Sequence, residues 1–159
     1  MSRAFVKEDD GPRPEVLPEL PVSSAPNLVT ARGLRLIEAR IAEIEAALVE
    51  ADETRAPRLR RDLRYWRVRH ATARPTVPDP ANPAAQFGSR VTYRSEAGET
   101  RTVTITGEDE ADPSAGTIAY VAPVARALIG AEPGSAVTVT LRGAPVELEV
   151  LTVEVPDEA

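Results

Sequence analysis

Few residues in this chain could carry covalent chemistry. Its 159 residues include one histidine, His70, and no cysteine. That removes thiolate nucleophiles and disulfides and argues against a zinc cluster. A lone imidazole with no Ser, Cys or acid constellation around it is expected to pack, not to catalyse. No Gly-rich phosphate loop is present. The chain offers charge in blocks instead. Glu50, Asp52 and Glu53 crowd one short stretch. A second acidic run, Glu108, Asp109, Glu110 and Asp112, carries Pro113 and Gly116 and reads as a loop. Between Thr54 and Arg74 stand eight Arg against one Asp, whereas residues 75–159 hold thirteen acids and five Arg, in a chain of net charge −6. A basic block of this kind could contact nucleic acid. It lacks the interleaved aromatics of a single-strand binder, and Glu38, Glu43, Glu45 and Glu50 lie just upstream. Pairing between neighbouring helices is therefore the expected use of these arginines.

Two helices must position the first acidic stretch and the basic block. Leu34, Ile37, Ile41, Ile44 and Leu48 recur at heptad spacing, and Thr30 stands where an N-cap belongs. Leu59, Leu63, Trp66, His70 and Ala73 form a second stripe over about Arg55–Ala73, with Thr54 as its expected cap and Pro57 in its first turn. Two stripes of matching length joined by the short turn at residues 50–54 predict an antiparallel helical hairpin over residues 29–74. Its tip would carry Glu50, Asp52 and Glu53, and Trp66 and Tyr65 would pack near its base. Gly33 is a small cost in the first turn.

Pro75, Pro78, Pro80 and Pro83 end the second helix and predict a stiff linker over residues 75–86. Alternating apolar residues then mark strands near residues 90–94, 100–106, 117–121, 136–141 and 146–153. Pro123 opens a short helix that Gly130 closes. Strict alternation at Val137, Val139 and Leu141 and at Val146, Leu148 and Val150 predicts an antiparallel sheet with one face buried under that helix. The fold class is α+β. Residues 1–28, with five prolines, five acids and no sustained apolar period, are expected to be a disordered tail with Phe5-Val6 as its one apolar foothold. No stretch approaches the ~20 apolar residues of a membrane span, and the cytoplasm is the expected location.

The ordered run Gly107-Glu108-Asp109-Glu110-Ala111-Asp112, Gly116, Ile118, Pro123, Ala125-Arg126-Ala127-Leu128-Ile129-Gly130, Glu132, Gly134 closely resembles the C-terminal domain of the GreA/GreB family of bacterial transcript cleavage factors. The likeness extends from about Phe87 to Val153. It implies an FK506-binding-protein-like (FKBP-like) fold for residues 87–155 and a coiled coil for the hairpin. It implies RNA polymerase as partner, with the globular domain docked at the rim of the secondary channel and the arm inside it. The family's polymerase-contacting loop maps to Val121, Ala122 and Pro123, where family members often carry polar residues before the Pro. Arg126 could serve the same surface or pair with Glu108–Asp112.

In cleavage factors, acids at the hairpin tip help hold a second Mg²⁺ at the polymerase active site, and the polymerase hydrolyses backtracked RNA. The family's tip string, approximately D-L-S-E-N-A-E-Y, is absent here; Glu50-Ala51-Asp52-Glu53-Thr54 stands in its place. Asp52 and Glu53, with Glu50 near, are chemical substitutes, because carboxylates suit Mg²⁺ and paired metals stabilise attacking and leaving oxygens. The hairpin is also shorter than the family's. Two readings stay open: cleavage stimulation through the tip acids, and occupancy of the channel without cleavage. The chain would need no cofactor of its own beyond a Mg²⁺ shared with polymerase, would act as a monomer, and would touch DNA only incidentally through its Arg face. A different class, a prolyl isomerase, is disfavoured because Phe87, Tyr93 and Tyr120 are the only aromatics available to line a pocket. A plain adaptor, with the hairpin seam docking another helix, is the third class.

Overall fold

The computed structural model describes residues 17–157. In chain order the elements are β1 (Leu28–Val29), α1 (Ala31–Val49), α2 (Ala56–Thr72), β2 (Arg74–Pro75), β3 (Arg90–Ser95), β4 (Thr100–Thr106), two short 3-10 turns (Glu108–Glu110 and Pro113–Ala115), β5 (Thr117–Ala119), α3 (Pro123–Leu128), β6 (Ala136–Leu141) and β7 (Ala144–Glu154). The architecture is mixed α+β: a two-helix arm and a five-stranded sheet.

The arm follows from the apolar spacing. Ile37 and Ile44 of α1 are buried against Ala56 and Leu63 of α2, and Leu34, Ile41 and Leu48 are half-buried on the same stripe. Cross-helix pairs fix the direction. Arg67 Nη2 meets Glu45 Oε1 at 2.8 Å, and His70 Nε2 lies 3.5 Å from Glu38 Oε1, so the helices run antiparallel. The 19 residues of α1 make an arm about 28 Å long at 1.5 Å per residue.

The sheet has strand order β5-β4-β3-β7-β6. β3 pairs antiparallel with β4 and β7, and β6 pairs antiparallel with β7. The expected wholly antiparallel domain is corrected at one edge: β5 runs parallel to β4, pairing Thr104 with Thr117 and Ile105 with Ile118. A tight hairpin cannot join parallel neighbours. The acidic loop that carries both 3-10 turns supplies the longer return. At the other edge, β6 and β7 meet through Arg142 (φ 51) and Gly143 (φ 80), a two-residue connection of the kind that matches strand twist. Val91, Ile105 and Val150 are fully buried in the sheet, with Ala125 and Leu128 of α3 over them. Each large aliphatic side chain in that cluster contributes about 1.5–3 kcal/mol by leaving water.

Two expectations about the connecting segments change. The tail expected to be disordered through residue 28 is anchored over its described part, and Phe5-Val6 lies outside the described residues. Glu19 Oε1 accepts from Arg64 Nη2 at 2.5 Å, Pro26 O accepts from Tyr120 Oη at 2.5 Å, and Asn27 is buried. The polar and Pro-rich composition that suggests disorder did not reveal these distant partners. The Pro-rich segment after α2 is likewise folded onto the sheet domain. Arg74–Pro75 pairs in parallel with Leu28–Val29, the Gln86 amide bridges back to Asp79, and Ala85 exchanges backbone bonds with Gly130 and Ala131.

Candidate functional site

The acids at the tip of the arm stand in water and serve local turn structure. Glu50, Asp52 and Glu53 are all exposed, as is Val49 at 85%. Asp52 Oδ1 accepts from the backbone N–H groups of Thr54 (3.1 Å) and Arg55 (2.8 Å), and its carbonyl accepts from Ala56 N–H at 2.9 Å. Asp52 therefore closes the turn that leads into α2; the residue that precedes the helix is Arg55, with no side-chain cap, where Thr54 was the expected cap. Among the described residues no group of three or more His, Asp or Glu side chains converges on a point where a metal could sit. One oxygen of Asp52 and the carboxylates of Glu50 and Glu53 remain open to a group brought by a partner.

The acids of the loop after β4 behave differently. Glu110 is buried and holds the start of α1. Its Oε1 accepts from Thr30 N–H (3.1 Å) and Gly107 N–H (3.0 Å), and its Oε2 accepts from the Thr30 hydroxyl at 2.7 Å. That hydroxyl in turn accepts from Gly33 N–H at 3.0 Å. A carboxylate here meets orphan donors and the positive end of the α1 dipole together. Gly33 is explained by the same contact: a Cβ there would stand 2.5 Å from Glu110 Oε1. Gly107 is needed for a related reason, because its Cβ would meet Leu28 O at 2.6 Å.

The other helix is held at its end. Arg69 is 1% exposed; its Nε donates to Asp109 Oδ2 at 2.5 Å, and its Nη2 lies 3.7 Å from Glu108 Oε2. Tyr65 Oη donates to Asp109 Oδ1 at 2.7 Å. Burial first, and then that bond to Asp109, push the Tyr65 phenol up to about 12. Asn27 Nδ2 donates to Arg69 O at 2.7 Å, meeting one of the last carbonyls of α2. Both helices of the arm thus end on groups from elsewhere in the chain.

This network corrects the reading of α2. His70 was expected on the seam but is exposed, and Arg69, one residue earlier, is buried. Near the root, α2 turns a different face inward, because it packs there against the acidic loop as well as α1. Tyr65 lies near the base and stacks edge-on against Trp66 at 5.2 Å. The ion pair between Arg126 and Glu108–Asp112 does not form; Arg69 takes Glu108 and Asp109. A buried Arg between Val68 and His70 carries no periodic signal, so sequence reasoning missed it. Glu110 offered one clue, its place two residues beyond Glu108 in a loop with a glycine on either flank.

Val121, Ala122, Pro123 and Arg126 come together around the start of α3. Val121 and Ala122 are half-buried, and Pro123 and Arg126 are exposed. Tyr120, Val121, Arg126 and Ile129 line one side of a groove of about 430 Å³, and Ala25 and Pro26 line the other. Phe87 and Tyr93 are each 7% exposed, and Phe87 packs edge-on against Tyr120 at 5.8 Å. Phe87 and Tyr93 are buried, and Tyr120 borders the groove. Along the arm, Arg40, Arg61, Arg64 and Arg67 pair with Glu43, Asp62, Glu19 and Glu45. Arg55, Arg58 and Arg60 form no ion pair among the described residues.

Residues 80–155 match the family described as transcription elongation factor, GreA/GreB, C-term. The chain is 47% identical over 76 residues to the transcription elongation factor GreA of Legionella pneumophila, an alignment covering 47% of this chain and 48% of that protein. It is 37% identical over 119 residues to the GreA of Pseudomonas aeruginosa, covering 74% of this chain and 63% of that one. The crystal structure of Gfh1, a GreA factor homolog of Thermus thermophilus, aligns at 14% identity with a TM-score of 0.41, covering 80% of this chain and 97% of that one. The chain spans about half the length of the Legionella relative it matches. The matched motif, Gly107–Gly134, is the segment that holds both the root of the arm and the groove beside α3, and over residues 80–155 the chain matches the C-terminal domain of the GreA/GreB family.

Proposed function

We propose that this protein binds bacterial RNA polymerase at its secondary channel and regulates transcript elongation. In this reading the globular domain, FKBP-like in the family's manner, docks through Val121, Ala122, Pro123 and Arg126, and the arm supplies the effect. The observation that carries the reading is the family match over residues 80–155, which includes both that surface and the acids rooting the arm. The protein would perform no hydrolysis itself; any cleavage would be the polymerase's own. It would work as a monomer where the polymerase is, in the cytoplasm, and meet DNA only in passing.

Between the two open forms of this function, occupancy without cleavage is favoured. Asp52 Oδ1 already accepts two backbone N–H groups, and the α1 arm is only about 28 Å long. The tip acids do not make a resident metal site. Mg²⁺ enters only as an ion held by the polymerase, to which Asp52 and Glu53 could add a ligand.

The test is RNA cleavage in purified backtracked elongation complexes, with the wild-type protein and with Asp52→Ala/Glu53→Ala, alongside competition against a GreA. Competition without cleavage is the expected result. Cleavage that the double variant loses would reverse the preference and make the tip acids working ligands. Neither cleavage nor competition would end the polymerase reading.

A further inference from the structure

We propose that the buried polar cluster at the root of the arm is an orientation lock: Glu110, Asp109 and Arg69 set the direction of the tip relative to the docking face. Its functional consequence rests on the polymerase reading above; its mechanical part does not.

The covalent path between arm and sheet domain is tied to the sheet domain by backbone bonds only from Ala85 onward. It runs from Thr72 through residues 73–89 to β3, and its first paired residues, Arg74–Pro75, bond to the β1 segment and not to the sheet. The angle is fixed by side chains. Glu110 grips the first residue of the arm through two bonds to Thr30 while a third ties it to Gly107, its own loop. Arg69 and Tyr65 grip Asp109 from the other helix. These contacts sit on both helices, so rotation about either one breaks the other. The strap before α1 adds a third tie, with Asn27 on Arg69 O and Pro26 O on Tyr120 Oη, so one short segment bridges the arm and the wall of the docking groove.

The packing is built for these groups. Gly33 and Gly107 leave room that a single methyl group would fill. A helix-interior glycine weakens a helix by about 1 kcal/mol relative to alanine, and the contact at Gly33 identifies what that weakness accommodates. The neighbouring acids Asp112 and Glu132 are exposed and take no part. Three acids of the family-matched motif therefore face the arm, not the partner. They are positioning residues: they do not touch polymerase, and losing them should leave docking intact while removing the effect of the arm.

The chain has no cysteine, so Val49→Cys and Thr140→Cys give a doubly spin-labelled full-length protein with one label at the tip and one on the sheet edge. The wild type should give one narrow tip-to-domain distance distribution. Arg69→Met should broaden it and cut the effect on elongation at least tenfold. Its competition for polymerase should stay within about twofold of wild type, and Arg69→Lys, which keeps a cation toward Asp109, should restore part of the effect. Should Arg69→Met fail to fold, Tyr65→Phe/Asp109→Asn weakens the same lock more gently and should move both readouts in the same direction. An unchanged distance distribution in the variants would overturn the lock, as would a broadened one with undiminished effect. If the wild type does not bind polymerase at all, the functional reading falls, and the distance widths alone still decide the lock.

Discussion

The two ends of the arm carry the same residue types and use them in opposite ways. At the tip, Glu50, Asp52 and Glu53 are exposed, and the bonds Asp52 makes reach two or three residues along the chain. At the root, Glu110 is 6% exposed and bonds across 80 residues to Thr30, and Asp109 receives Arg69 and Tyr65 across 40 and 44. A carboxylate in water contributes little beyond local capping. A carboxylate out of water must be fully partnered, and its partners then become costly to remove. The tip is thus chemically open and holds only its own turn. The root is structurally committed: Glu110 and Asp109 are partnered on both oxygens, and Glu108 Oε2 and Asn27 Oδ1 are buried there without a hydrogen-bond partner.

The largest effect should come from Arg69→Met. It would leave Asp109 and Glu108 without their buried cation, and removing one member of a buried pair costs about 3–5 kcal/mol. Denaturant unfolding would measure it; a loss below about 1 kcal/mol would mean water reaches these acids and the contrast with the tip is weak.

Gly33→Ala sharpens the comparison because two rules oppose each other. At an ordinary exposed helix position, alanine for glycine stabilises by about 1 kcal/mol. Here the new Cβ would sit 2.5 Å from Glu110 Oε1, and overpacking of this kind costs about 1–3 kcal/mol. A net loss in melting temperature is expected; a gain would show that Glu110 does not hold the position described.

Asp52→Ala, the matching change at the tip, removes the two side-chain bonds that close the turn before α2 and should cost about 1 kcal/mol. Glu53→Ala, which loses no hydrogen bond, should be close to neutral. Equal losses at the two positions would count against the turn bonds of Asp52.

The last effect is one of pH. The Tyr65 phenol is raised from 10.0 to about 12 by burial and then by Asp109. A raised pKa means its contribution is complete below pH 10 and disappears as pH climbs toward about 12. Tyr93 and Tyr120 are also raised, each chiefly by burial, so the difference between wild type and Tyr65→Phe isolates the root. Wild-type stability should fall more steeply over that window than the variant's; parallel curves would place Tyr65 in water.

Much of the frame could be read directly from the residues. The spacing from Leu34 to Leu48 marks α1, Thr30 marks its start, and Pro123 and Gly130 bracket α3, because each depends on interactions within a few residues. The acids at Glu50, Asp52 and Glu53 could be placed at a turn for the same reason. The buried acids could not be told from exposed ones, since Glu108, Asp109 and Glu110 look in sequence like any solvated loop. Nor could His70 be separated from Arg69, because a stripe fitted to one helix ignores the second surface that helix meets near its root.

What the sequence by itself determined is the set of local elements, their order and the family of the C-terminal domain. Periodicity, caps and turns act over one or two turns of chain, and a long ordered motif is specific whatever its fold. What only the tertiary structure decided is which charges are buried, which strand runs parallel, and that an apparently disordered strap ties arm to domain. The buried charges and the strap depend on groups 40 to 94 residues apart in the chain, and the free energy of a charge is set by what surrounds it in space, not by its neighbours in sequence.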